Sequence, residues 1–397
     1  MPEAKPVAVE TPAEPFLPFS LPEIGQEEID EVADTLRSGW LTNGPKTRAF
    51  EAAFREATDS KHAVALSSCT AGLHLALLAS GIGPGDEVIT TPLTFAATVS
   101  MIIHTGATPV LADVREDDYN IDPEQIEKHI TPRTKALIPV HYAGQPCRMD
   151  EILTLAKTHN LRVIEDAAHA LGASYRGKQI GALGDCAIFS FYPIKPITTG
   201  QGGMLTTNDD DLADRVRLLS LHGLSKNAWD RYSDKGSAFY QVLAPGFNYV
   251  MTDIQAALGI HQMRRLPAFQ AQRVELARQY DQQLADLPEI IRPAARSDVD
   301  HCWHLYAIRV DADRLKIGRD EVIEELRSRG VGTSVHFIPI HYHPYFSDRL
   351  DLREGDFPVA ERVFEGLISL PLYSRMTSGD VTRVSEALHK IVAANRR

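Results

Sequence analysis

The stretch FSFYPIKPITTGQGGM, residues 189–204, sets a single lysine between two prolines. An aromatic and apolar run leads into it, and threonines and glycines follow. Pro193 and Pro196 each fix a backbone φ angle, and Pro196 also biases Lys195 toward an extended conformation. The glycines at 200, 202 and 203 permit tight turns and the close approach of another group. One reading is a surface lysine on a loop, as most lysines are. The other is an amine held at the end of a buried strand. Partly out of water, it has a lowered pKa and is nucleophilic enough for Schiff-base chemistry.

The segments flanking the loop, CAIFSF (186–191) and GGMLTTN (202–208), read as strands. The short spacing suggests a turn rather than a helical crossover, so one of them is expected to run antiparallel. Upstream lie five more β-branched or apolar runs: HAVALS, EVITTP, TPVLADV, KALIPVHY and RVIEDAA. Helical patterns such as TAGLHLALLASG and DEILTLAKTHN separate them. Strand–helix alternation predicts an α/β fold, with a mostly parallel sheet of about seven strands covered by helices.

Downstream, residues 221–250 carry no clear period and are rich in aromatic, Gly and polar residues, which reads as an ordered functional excursion rather than a linker. Helices are predicted over 252–264 and 267–286. A strand in WHLYAIRV (303–310), a helix in RDEVIEELRSRG stopped by Gly330, and a strand in GTSVHF (332–337) come next. The last helix starts at a capping box, Thr377–Asp380. The expected division is a disordered leader over 1–15, rich in Pro, Glu and Ala, a large domain over 16–264, and a smaller α+β domain over 265–397.

The 397 residues are 44% hydrophobic and 24% charged, the composition of an ordinary globular protein. A net charge of -12 argues against nucleic-acid or anionic-membrane binding, though not against an anionic small substrate. Four scattered cysteines with no C-x-x-C pair favour a reduced compartment. The N-terminus lacks a signal-peptide pattern, and no apolar run is long enough to span a bilayer, so a cytoplasmic location is expected. HFIPIHYHP offers His336, His341 and His343, but no acidic or cysteine partner at ligand spacing, so no metal is expected.

Other strand ends carry chemistry. In VIEDAAHALG (163–172), Asp166 closes a buried strand at the edge where parallel sheets bind ligands. It is either a helix cap or an acid aimed at a pyridine nitrogen. His169 would face the same way. In SSCTAGLHLAL (67–77) a strand end runs straight into a helix start, a phosphate-binding geometry in which Thr70 and Ala71 are candidate donors. Ser190 could add another. Phe95 follows a third strand, as core or as a ring to stack on a heteroaromatic. In the 221–250 excursion Lys226 and Arg231 are candidates for a diphosphate, with solvated surface charge the plain alternative. Phosphate donors, a stacking ring, an acid and a lysine, each at one sheet edge, suit a flat, phosphorylated, aldehyde-bearing pyridine.

The stretches GWLTNGPKTRAFE, SSCTAGLHLAL, PLTFAAT, IPVHYAGQPCRMD, EDAAHALGASYRGKQIG, FSFYPIKPITTGQGG, PGFNYVMTDIQAAL and LPLYSRMT carry a resemblance. Over about residues 17–393 the chain resembles the DegT/StrS family of pyridoxal-phosphate-dependent sugar-nucleotide aminotransferases. The resemblance implies the aspartate-aminotransferase type of fold (fold type I) and pyridoxal 5'-phosphate as cofactor. It also implies transfer of the amino group of L-glutamate, which leaves as 2-oxoglutarate, to a keto sugar nucleotide. Within the family the chain looks most similar to enzymes that make UDP-4-amino-4-deoxy-L-arabinose. That favours a UDP sugar and its C-4 carbonyl over C-3 amination or dehydration; the family's dehydratases carry His at the position of Lys195. By the same resemblance Lys195 holds the cofactor aldehyde, Asp166 pairs with the ring nitrogen and His169 lies near the ring hydroxyl. Thr70, Ala71 and Ser190 bind the phosphate, Phe95 covers the ring, and His336 touches the sugar. Asn248 reaches the phosphate of a neighbouring subunit, which implies a homodimer with shared sites. Gln201 departs from the Glu that relatives often carry in TTGEGG, a lost charge close to the lysine.

Overall fold

The computed structural model describes residues 15–181, 183–225 and 240–397. Lys226, Arg231 and residues 1–14 of the expected leader lie outside the described residues.

All seven expected strands form. They are β1 (His62–Leu66), β2 (Glu87–Thr90), β3 (Thr108–Leu111), β4 (Thr134–Leu137) and β5 (Arg162–Asp166), then, after a short hairpin of β6 (Ser174–Tyr175) and β7 (Lys178–Gln179), β8 (Cys186–Ser190) and β9 (Gly203–Thr207). The seven-stranded sheet runs in the order β1-β9-β8-β5-β4-β2-β3. β9 is antiparallel to both its neighbours, and the remaining pairs are parallel. Both faces are covered, which is why these strands read as continuous apolar runs. Along β8, Cys186 and Ile188 join one core while Ala187 and Phe189 join the other. Helices Cys69–Ala79 and Asp210–Ser220 cover the first face; Pro45–Thr58 and Met149–His159 cover the second.

Because β1, β2, β5 and β8 point the same way, their carboxyl ends share one edge. The antiparallel β9 begins at that edge, so the loop between β8 and β9 stays there instead of crossing the sheet.

One helix, Asp253–Gln283, replaces the two expected, and it passes through Pro267. Proline removes one donor from the ladder, but Leu266 and Phe269 on either side are buried in the large core, which holds the helix together there. Its membership then changes: Leu276, Ala277, Tyr280 and Leu284 belong to a second core. That core also contains residues of helices Arg319–Ser328 and Ser378–Asn395 and of a three-stranded antiparallel sheet. The sheet consists of β10 (Ile290–Ile291), β12 (Tyr306–Val310) and β13 (Leu367–Leu370), while β11 (Val299–Asp300) pairs with β6. The Thr377 cap is as expected: its hydroxyl accepts from the Asp380 amide and the Asp380 carboxylate accepts from the Thr377 amide. Residues 332–337 do not form the expected strand. A single bridge, Ser334 to Ser369, ties this segment to β13, and the chain then turns His336 and Phe337 toward the sheet edge. Among the described residues no helix is long and apolar enough to cross a membrane.

Candidate active site

A cleft of ≈ 510 Å³ opens at the carboxyl edge of the sheet, within the usual range of about 300–1,000 Å³ for small-molecule sites. Seven of the candidate site residues line it, Thr70, Phe95, Asp166, His169, Ser190, Lys195 and His336, and Gln201 lies beside them. They come from five places in the chain: the order of the large sheet brings four together, and His336 arrives from the segment bridged to β13.

The lysine loop is pinned on both sides. The Lys195 amide donates to the Tyr192 carbonyl at 2.8 Å, closing a tight turn in which Pro193 takes the second position, where its fixed φ is preferred. The Thr199 amide and Thr198 hydroxyl both donate to the Phe191 carbonyl, at 3.1 and 3.0 Å. Burial pushes the Lys195 amine down to about 8, against the opposing pull of Cys69 and Asp166.

Asp166 ends β5 and is 6% exposed. Thr98 Oγ1 donates to its Oδ2 at 2.8 Å, and the Ala168 amide donates to its Oδ1 at 3.1 Å. These two bonds favour the ionised form, but desolvation of the buried carboxyl outweighs them. Burial therefore leaves the carboxyl above its usual range, and a cation on its open side is what the site still calls for.

Ser68 caps the helix Cys69–Ala79 and accepts from the Ala71 amide at 3.0 Å. The amides of Cys69 and Thr70, at the very start of the helix, lie ahead of any intrahelical acceptor. Ala71 thus differs from expectation: its amide is taken by the serine cap, and it is not a lining residue. Gly203 makes this junction possible. A Cβ there would lie 2.4 Å from the Ser68 carbonyl carbon and 2.5 Å from the Cys69 nitrogen.

Phe95 is 64% exposed and stands over the cleft, 6.2 Å from the Phe337 ring. His169 stacks on Phe337 at 5.5 Å, with His304 behind it at 4.4 Å. Its Nδ1 is buried without a hydrogen-bond partner among the described residues, and burial holds it well below the usual imidazole range. His336 pairs with Ser369 Oγ at 2.9 Å, and burial pushes its imidazole down to about 3. Both rings are therefore neutral near pH 7.

His341 is bonded to Glu361 at 2.8 Å and does not join His336 at the cleft. Asn248 is exposed, bridges to Leu221, and does not line the cleft of its own chain. Sequence reading missed Thr94, Thr98, Tyr192, Ile194 and Phe337, all of which line the cleft. Thr98 lies in the quoted PLTFAAT stretch, one helical turn after Phe95, a spacing that by itself does not mark it as a site residue.

This donor set fits pyridoxal phosphate. It offers open amides and two hydroxyls at one end, a carboxylate in need of a cation, an unpartnered imidazole nitrogen, a stacking ring, and an amine of lowered proton affinity.

The family model described as DegT/DnrJ/EryC1/StrS aminotransferase matches residues 22–389. SpsC of Bacillus subtilis, a spore coat polysaccharide biosynthesis protein, is 53% identical over 378 residues, covering 95% of this chain and 97% of SpsC. Spr1654 of Streptococcus pneumoniae, solved in PMP and PLP forms, superposes in the former with a TM-score of 0.89 at 34% identity, covering 95% of this chain and 99% of that one. PseC of Helicobacter pylori, an aminotransferase involved in pseudoaminic acid biosynthesis, gives 0.87 at 31% identity, over 96% of this chain and 100% of PseC. A cleft built for this cofactor, on a fold-type-I scaffold matched over nearly its whole length, identifies the chain as a member of the DegT/DnrJ/EryC1/StrS family and a pyridoxal-phosphate-dependent sugar aminotransferase.

Proposed function

We propose that the protein moves the amino group of L-glutamate to the C-4 carbonyl of a UDP-linked keto sugar, in the manner of the enzymes that make UDP-4-amino-4-deoxy-L-arabinose. The observation that carries this reading is the convergence of Lys195, Asp166, His169 and the Ser68–Thr70 helix start on one cleft. By the resemblance to the arabinose-type enzymes, which carry His where many of the family carry Gln, His169 is in keeping with C-4 of a UDP sugar. The names of SpsC and PseC, tied to polysaccharide and pseudoaminic acid biosynthesis, are in keeping with a glycan precursor.

When bound, the cofactor supplies an aldehyde and a ring that withdraws electrons. The chain's own residues do the rest. Lys195, its amine pushed down to about 8 by burial, would be the group that holds that aldehyde. As a positioned base and acid, Lys195 Nζ would carry the proton between the α-carbon of glutamate and the sugar carbon that receives the amino group. Asp166, tethered by Thr98 and the Ala168 amide, would accept from the ring nitrogen and favour its charged form. Thr70, Ser190 and the open helix amides hold the phosphate, with Ala71 as a further donor if Ser68 releases it. Phe95 covers the ring and His336 meets the sugar.

Among the described residues lining the cleft, Lys195 is the one cation. Two glutamate carboxylates and a diphosphate need more positive charge than that. Lys226 and Arg231 are the candidates to bring that charge to the diphosphate, and in a homodimer with shared sites the neutral Asn248 amide would reach the partner's phosphate.

Product analysis by mass spectrometry and NMR, across a panel of keto sugar nucleotides with glutamate as donor, tests the reading. The expected result is fastest turnover of UDP-4-keto sugars to 4-amino products. Amination at C-3, loss of a hydroxyl, or preference for another nucleotide overturns it.

A further inference from the structure

Asp166 is held by a chain of hydroxyls with no role so far. Thr94 Oγ1 and Thr98 Oγ1 lie 2.8 Å apart, and Thr98 Oγ1 lies 2.8 Å from Asp166 Oδ2. A hydroxyl has one proton to give. Thr98 gives its proton to the carboxylate, so Thr94 donates to Thr98 and the chain has one direction. Both threonines are buried. Thr98 sits in the first turn of helix Ala96–His104, whose positive end favours a nearby anion. With the Ala168 amide on Oδ1 and Thr98 on Oδ2, both carboxylate oxygens are tethered and the plane of the group is fixed. Each oxygen keeps a lone pair for a further donor.

We propose that Thr98, set by Thr94, is a positioning residue that orients Asp166 and fixes how the proton is shared between that carboxylate and the cofactor's ring nitrogen. The inference rests on the reading that Asp166 pairs with that nitrogen. Without the Thr98 donor, Oδ2 becomes more basic and draws the ring proton toward itself. The ring then withdraws electrons less well, and the lysine-bound cofactor keeps its own proton to higher pH. Lys195, His141 and the Cys69 thiol also act on Asp166 electrostatically.

The test compares Thr98→Val, Thr98→Ser and Asp166→Asn with the wild-type holoenzyme. Thr98→Val is expected to lower kcat roughly tenfold or more with little change in KM for the sugar nucleotide. It should also shift the midpoint of the cofactor's absorbance titration upward and weaken pyridoxal phosphate binding to the apoprotein. Thr98→Ser restores the hydroxyl and is expected to restore all three. A Thr98→Val enzyme that titrates like wild type overturns the inference, and so does a Thr98→Ser enzyme that is not rescued. Asp166→Asn separates the two levels. If its titration is also unchanged, the ring-nitrogen reading itself fails; if it is changed while Thr98→Val is silent, only the role of Thr98 fails.

Discussion

Lys195 reaches its half-deprotonated point at about pH 8 because burial disfavours its charged form. The neutral amine is the form that attacks an aldehyde. Capture of pyridoxal phosphate by the apoprotein should therefore accelerate about tenfold per pH unit up to about pH 8 and then level off. Stopped-flow absorbance on the apoprotein measures it. A rate that is flat from pH 6 to 9, or a Lys195→Ala protein that still develops the band, contradicts the assignment. Lysine and aspartate were legible in the sequence because of their neighbours: prolines fixed the one, and a strand end carried the other. Thr98 was not, because a threonine inside a helical pattern looks like any other. Its partner lies 68 residues away, and only the sheet joins them.

Among elements, the junction of β9 with the helix start at Cys69 is the tightest backbone approach in the site. Gly203 pairs with Leu66 on one side and Ser190 on the other, directly beneath Ser68. Gly203→Ala forces a methyl into the main-chain atoms of Ser68 and Cys69, in the proposed phosphate cradle. An overpacked core position of this kind costs about 1–3 kcal/mol, and a weakening of pyridoxal phosphate binding of at least about tenfold should accompany it. Gly200→Ala is the control. There φ is 74°, but a Cβ meets nothing within 4 Å, so only a backbone cost of about 1 kcal/mol is expected and cofactor affinity is kept. Equilibrium titration of both variants decides the matter. At this scale the sequence told strand from helix well, because burial on both faces of a parallel sheet leaves an unbroken apolar signature. It did less well after residue 264. Pro267 suggested a break that packing on both sides overrides, and the β-branched run at 332–337 suggested a strand where one bridge and a turn into the cleft occur.

For the whole molecule, the proposed shared site makes a quantitative prediction. Lys195→Ala breaks a protomer's own cleft, whereas Asn248→Ala breaks its partner's. Each variant alone should be nearly inactive. Mixed, and allowed to exchange subunits, they form hybrids in which one site carries both defects and the other carries neither. Random pairing then restores about a quarter of wild-type activity. Recovery of none, with exchange shown by mass spectrometry, places Asn248 outside the partner's site.

The position of β9 also orders events as the chain is made. Its slot lies between β1, which emerges from the ribosome early, and β8, which emerges just before it. Until residues 203–207 are out and inserted, the start of the helix Cys69–Ala79, proposed to hold the phosphate, has no floor and the lysine loop has no second anchor. A nascent chain stalled before this strand should be blind to pyridoxal phosphate however much of the sheet it has built, and coenzyme capture marks the moment at which the gap in the sheet closes.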